Sequence, residues 1–145
     1  MISLKEIHRD NLDVVIKLKV KEEQKNFVAS NVYSIAQAKA QPELIPLAIY
    51  QEETVVGFIM YCMDTEDKEY WIYRLMIDEA YQSKGFGRNA MEQVILKIKE
   101  DQSHHIIYIS FEPENIGAKS LYESLGFIPD GRNIDGEIVY QLNYE

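Results

Sequence analysis

A pair of glycines between a strand-like run and an amphipathic helix constrains this chain more than any other feature. Tyr70-Trp71-Ile72-Tyr73-Arg74-Leu75-Met76-Ile77 is rich in aromatic and β-branched residues, as a strand requires. Beyond a loop from Asp78 to Lys84, Ala90, Met91, Val94, Ile95 and Ile98 recur at the three-and-four spacing of one buried helical face. Gln82-Ser83-Lys84-Gly85-Phe86-Gly87-Arg88 therefore opens that helix. The first turn of a helix has unpaired N–H groups and a partial positive charge. Two glycines let the backbone approach an anion closely, and Lys84 and Arg88 add formal charge. The segment predicts a phosphate-binding terminus with a pyrophosphate as its natural guest.

The flanking sequence sets the fold class. Ile2, Leu4 and Ile7 bracket a short strand, and Asp10 is placed to cap a helix carrying Leu12, Val15, Ile16 and Leu18. Lys21 to Ala40 reads as helical in pieces, with Ser34 capping the last piece and Pro42 ending it. Leu44 to Tyr50 and Thr54 to Met63 read as strands joined by the hairpin connection Gln51-Glu52-Glu53-Thr54. His105 to Phe111 is a further strand, and Asn115 to Leu125 a helix stopped by Gly126. Ile128 to Arg132 and Glu137 to Asn143 form a last hairpin around Asn133-Ile134-Asp135-Gly136. Antiparallel runs followed by alternating units predict an α/β chain with one mixed sheet, and the whole of residues 1–145 reads as a single domain.

Composition narrows the function. The net charge of −9 provides no basic footprint, so nucleic acid is not an expected partner. An acidic surface attracts cations at long range and also serves solubility alone. The single cysteine, Cys62, lies in the apolar run Gly57-Phe58-Ile59-Met60-Tyr61-Cys62-Met63, where a buried structural thiol is expected rather than a nucleophile. One cysteine builds neither a disulfide nor a Cys-based zinc site, and no metal is expected. Met1 to Val20 has no continuous apolar stretch of the signal-peptide kind, and no run reaches membrane-spanning length, so a cytoplasmic protein without a membrane partner is expected.

Two cofactor classes fit the glycine pair. Gly85-x-Gly87-x-x-Ala90 satisfies the dinucleotide fingerprint, but that unit turns directly from strand to helix, and here Asp78 to Lys84 intervene. Gln82-x-x-Gly85-x-Gly87 instead resembles the coenzyme A motif of the GNAT acetyltransferases. Asn115-Ile116-Gly117-Ala118-Lys119-Ser120-Leu121-Tyr122-Glu123-Ser124-Leu125-Gly126-Phe127 resembles the superfamily's second signature, Asn-x-x-Ala-x-x-Leu-Tyr-x-x-x-Gly-Phe, position for position. Both motifs in this order, with the element order, carry the resemblance over nearly the whole chain.

The resemblance implies the GNAT fold, a twisted mixed sheet whose parallel central strands splay apart after Leu75 and Ser110, flanked by helices. It implies acetyl-CoA as cosubstrate, with Leu75, Met76 and Ile77 offering backbone to the pantetheine arm. Gln82, Ser83, Lys84, Gly85, Phe86, Gly87 and Arg88 hold the pyrophosphate, and Asn115 and Ala118 contact the cofactor from the other side. It implies direct attack of an amine on the thioester, with Tyr122 as the acid that protonates the leaving thiolate. The strand position where polyamine acetyltransferases often carry a carboxylate falls on Trp71-Ile72-Tyr73-Arg74, none of them acidic, so a strand-borne base is not expected. Glu22, Glu23 and Glu112 are the base candidates, by way of water; His8, His104 and His105 lie outside the motifs.

Glu22 to Ala38 is similar to the acceptor region of bacterial spermine/spermidine acetyltransferases, which implies a polyamine acceptor with Glu22, Glu23 and Tyr73 as substrate residues. The rival readings are another amine (a protein N-terminus, an amino sugar or an antibiotic) and a non-catalytic acetyl-CoA-binding regulator. A homodimer is left open.

Overall fold

The structure, a computed structural model, describes residues 1–144. Among these residues seven strands form one sheet: β1 (Ile2–Glu6), β2 (Ile45–Gln51), β3 (Thr54–Met63), β4 (Tyr70–Ile77), β5 (Ile106–Phe111), β6 (Ile128–Ile134) and β7 (Glu137–Asn143). Their spatial order is β1-β2-β3-β4-β5-β7-β6. Every neighbouring pair is antiparallel except β4 and β5, which are parallel. A parallel neighbour requires a crossover, and α3 (Phe86–Lys99) supplies it. The sheet is therefore mixed, as the element order predicts.

Both faces are covered. Met91, Val94 and Ile98 of α3 pack on Ile59, Ile72 and Ile107, joined by Tyr122 of α4 (Ile116–Ser124) and Phe127. Burying each such aliphatic side chain contributes about 1.5–3 kcal/mol. On the other face Val15 of α1 (Leu12–Lys17) meets Phe58, Met60 and Met76, with Ile35 and Ala38 of α2 (Asn31–Ala40) against them. Covering on both faces explains why β3 is buried from Val55 to Cys62 without polar alternation. Cys62 lies inside this layer, and burial, reinforced by the Asp64, Glu43 and Asp67 carboxylates, pushes its thiol up to about 12. No helix among the described residues is long and apolar enough to cross a membrane.

Several element ends differ from the sequence expectation. Ser30, not Ser34, caps α2: its extended backbone (φ −63°, ψ 155°) lets its side chain accept from Tyr33 N–H, whereas Ser34 is buried within the helix. Asn11, not Asp10, precedes α1. Its side chain ties down the chain instead of capping, accepting from His8 N–H and donating to the Glu6 carbonyl and the Tyr50 hydroxyl. Between Lys21 and α2 only one 3₁₀ turn forms, at Glu22–Gln24. β6 runs on to Ile134, so the final turn is the pair Asp135-Gly136, both at positive φ. α4 ends at Ser124, and Gly126 takes the left-handed conformation (φ 102°) after it, as expected.

The central strands part sooner than the resemblance implies. Only Tyr70, Trp71 and Ile72 pair with β5, opposite Ile107, Tyr108 and Ile109. The expected parting points were Leu75 and Ser110. The cause lies in the β3–β4 ladder, where Ile72 faces Tyr61 and Arg74 faces Met60, leaving Tyr73 as an extra residue. A bulge of this kind bends its strand and increases the local twist, which turns β4 away from β5.

Candidate active site

The parting of β4 and β5 opens a cavity of about 1350 Å³. Tyr73, Leu75, Met76 and Ile77 line it from β4, and Ile109, Ser110 and Phe111 from β5. Beyond Ile72 the β4 edge has no strand partner on this side among the described residues, so the peptide groups not directed to β3 face the cavity's length.

The glycine segment borders one end. Gly85 precedes α3 in the left-handed conformation (φ 84°, ψ 5°), which an L-residue adopts only with strain. Asn89 is the first residue to donate back into the helix, to the Gly85 carbonyl at 3.1 Å. The amides of Phe86, Gly87 and Arg88 come before it and have no intrahelical acceptor. Ser83, also at positive φ (64°), lines the cavity together with Gln82, Gly85, Phe86, Gly87 and Arg88. This succession of exposed amides suits an anionic group. Lys84 is exposed and outside the lining, and Arg88 is drawn aside to the Ser124 hydroxyl and carbonyl at the end of α4.

Gln82 holds the loop in place. Its Nε2 donates to the Ile77 carbonyl and to Gln24 Oε1, both at 2.9 Å, and Gln24 Nε2 donates back to Gln82 Oε1. Asp78 accepts from Lys19 N–H and Ala80 N–H. The segment from Val20 to Ala29 is thereby laid against the glycine loop as a cavity wall.

Tyr122 lines the cavity and is buried, edge-on to Phe111 (5.4 Å between ring centres) and tilted toward Phe127 (6.1 Å). Burial, with a smaller contribution from the Glu137 charge, raises its phenol well above the usual tyrosine range, so it carries its proton at every physiological pH. Asn115 and Ala118 line the same wall; the Asn115 side chain accepts from Ala118 N–H and so caps α4.

Glu22 and Glu23 do not reach the cavity. Both lie on the exposed 3₁₀ turn, where Glu22 pairs with Lys25, and Glu112 is likewise outside the lining. The carboxylates that do line it are Glu43, Asp64, Glu66, Asp67 and Glu137. Sequence reasoning missed these five. Asp64 to Glu69 was legible as a charged loop, but nothing in the sequence says that the loop folds over the start of β4. There Asp67 accepts from Trp71 Nε1 at 2.8 Å, Trp71 stacks on Tyr108, and Arg132 lies over both rings while paired with Asp130. Arg74, on the same wall, donates to Gln37 of α2 and to the Tyr73 carbonyl.

The comparisons with known proteins agree with this geometry. The model of the acetyltransferase (GNAT) family matches residues 6–127. A spermine/spermidine N(1)-acetyltransferase of Bacillus subtilis is 31% identical over 145 residues, covering 95% of each chain. Among solved structures, an aminoglycoside acetyltransferase in complex with coenzyme A superposes with a TM-score of 0.80 at 15% identity, over 100% of this chain and 95% of that one. The spermidine N-acetyltransferase of Vibrio cholerae, solved with coenzyme A and spermine, gives 0.73 at 16% identity, over 97% and 92%. These two structural likenesses speak for the fold, and the family match speaks for the chemistry: the chain belongs to the acetyltransferase (GNAT) family.

Proposed function

We propose that the chain acts as a single-domain cytoplasmic enzyme that moves the acetyl group of acetyl-CoA directly onto a primary amine of a polyamine. The parting of β4 from β5 after Ile72 and Ile109 carries this reading, because it gives one continuous cavity with anion-seeking amides at one end and carboxylates at the other. The Ser83 to Arg88 segment serves the pyrophosphate. Those peptide groups of Leu75, Met76 and Ile77 that β3 and Gln82 leave free serve the pantetheine arm, in the manner of an added strand. Tyr122 serves the leaving sulfur. Family membership and the similarity to the Bacillus subtilis relative support the substrate class.

The acceptor needs two opposite environments. Its distal nitrogens are cationic and call for carboxylates, which Glu43, Asp64, Glu66 and Asp67 offer along the cavity wall near Trp71. Its attacking nitrogen must be neutral, and Arg74 on the same wall disfavours an ammonium nearby. Tyr73, between these regions, is the contact expected for the acceptor's methylene chain.

A panel of amines scored for release of free thiol tests the reading. Spermine and spermidine should outrun short monoamines and peptide N-termini, and their Michaelis constants should rise with salt as screening weakens exposed ion pairs. Removing the charges of Asp64, Glu66 and Asp67 should erase the preference, whereas the same changes at Glu22 and Glu23 should leave it. Equal, salt-insensitive efficiency across the panel would overturn the polyamine assignment. No thiol release with any amine would overturn acetyl transfer itself.

A further inference from the structure

The proton that the attacking amine must lose has no acceptor on β4. The other edge of the parting supplies one. Glu137 opens β7, and its Oε1 accepts from Ser110 Oγ at 2.7 Å. Ser110 is the residue after Ile109, the last position at which β5 pairs with β4, and both Ser110 and Glu137 line the cavity.

Strand alternation fixes the side from which they approach. Ile107, Ile109 and Phe111 of β5 and Ile138 and Tyr140 of β7 belong to the core under α3 and α4. Ser110 and Glu137 therefore point from the opposite face, the one that carries α1 and α2. Tyr122 reaches the cavity from the α3–α4 face, packed on Phe111. The phenol and the carboxylate thus flank the parting from its two sides. The Glu137 charge is nonetheless within electrostatic reach of the phenol, since it contributes to raising it.

The other lining carboxylates are placed elsewhere. Asp64 accepts from the amides of Glu66 and Asp67, and Asp67 from Glu69 N–H and Trp71 Nε1, in the loop before β4 and at the start of that strand. Glu66 sits in that same loop, and Glu43 precedes β2. Among the described residues no ion pair engages Glu137.

We propose that Glu137 is the proton acceptor for the attacking amine, with Ser110 as the positioning residue that aims its carboxylate. The inference rests on the acetyl-transfer reading above. The carboxylate takes one proton from the ammonium, and the freed electron pair forms the C–N bond at the thioester carbonyl. The C–S bond breaks with its electron pair on sulfur, which takes the Tyr122 proton. The remaining excess proton on nitrogen passes to the Tyr122 phenolate, and Glu137 releases its proton to solvent. Amide, free thiol and one proton balance ammonium and thioester.

The test compares Glu137→Gln with the wild type on two acceptors: spermidine, which is protonated at pH 7, and an O-alkyl hydroxylamine, which is already neutral there. The expected result is a kcat lower by about 10²–10⁴-fold for spermidine and by less than about threefold for the hydroxylamine, with the Michaelis constant for acetyl-CoA unchanged. Formate should restore spermidine turnover to Glu137→Ala in a concentration-dependent way, and Glu137→Asp should retain a measurable share of it. Equal losses on both acceptors, no loss on either, or no rescue by formate or aspartate would overturn the assignment while leaving acetyl transfer intact. A wild type that releases thiol with neither acceptor would overturn acetyl transfer and this inference with it.

Discussion

A Cβ placed on Gly57 would stand 2.5 Å from the carbonyl oxygen of Met76. Gly57 faces Ile77 across the β3–β4 ladder, so the clash is with backbone that cannot swing aside. The strand that lines the cavity is thus seated on β3 through a position that accepts no side chain. Gly57→Ala should cost about 1–3 kcal/mol, as overpacking does in a close-packed interior. Chemical denaturation against the wild type measures it, and an unchanged midpoint would show that β4 can shift to make room.

Gly85 and Gly87 should respond differently to alanine. A Cβ on Gly85 meets nothing within 4 Å, but its φ of 84° makes any L-residue strained by about 1–3 kcal/mol. Gly87 is inside α3, and its Cβ would only touch Ile77 at 3.6 Å. Gly85→Ala should therefore weaken acetyl-CoA binding markedly, and Gly87→Ala much less, as read by calorimetry. Equal effects would mean that close approach to the ligand at Gly87, rather than the backbone turn, sets affinity.

Tyr122→Phe keeps the ring against Phe111 and Phe127 and removes only the hydroxyl. Turnover should fall by about 10²–10⁴-fold with little change in thermal stability. Because burial raises the phenol above its ordinary value, the protonated form should persist through mildly alkaline assays, and Tyr122 should add no alkaline limb below pH 10. Its contribution to stability is complete below that ordinary value and declines as pH climbs beyond it. A variant with wild-type rates would leave the residue to packing alone.

Asp101 accepts from the Ser103 hydroxyl and amide, from the Tyr70 hydroxyl and from His104, and these bonds hold its carboxyl down at about 2. A carboxyl lowered by folding stabilises above its ordinary value of 3.8, and that contribution disappears as pH falls through about 2. Asp101→Asn should lower the thermal midpoint at neutral pH, and the difference from wild type should close in strong acid. A gap independent of pH would assign the loss to geometry instead of charge.

The sheet and its crossover were legible because they rest on local pattern. The apolar spacing of Ala90 to Ile98 can satisfy only a helix, and Gly126 can only end one cleanly. Residues whose role depends on distant neighbours were not legible. The bulge at Tyr73 cannot be read from the strand's own residues, since it is a mismatch with β3 and not a property of β4. Glu137 reads as a hairpin acid until β5 and β7 come together. Glu22 and Glu23 are singled out by the similarity of Glu22 to Ala38 to an acceptor region, and that segment does form a cavity wall, yet the turn that starts it leaves both side chains exposed.

The extra residue in β4 acts as a phase slip. Trp71 and Tyr73, at odd positions, look toward α1 and α2; past the slip it is Arg74 and Met76, at even positions, that do so. The strand is in effect two short strands of opposite parity spliced end to end. Deleting Tyr73 would therefore leave every other side chain of β4 on its present face, with Arg74 and Met76 toward α1 and α2 and Leu75 and Ile77 toward α3. What it would take away is the bend, so that β4 would run on beside β5 and the cleft between them would close.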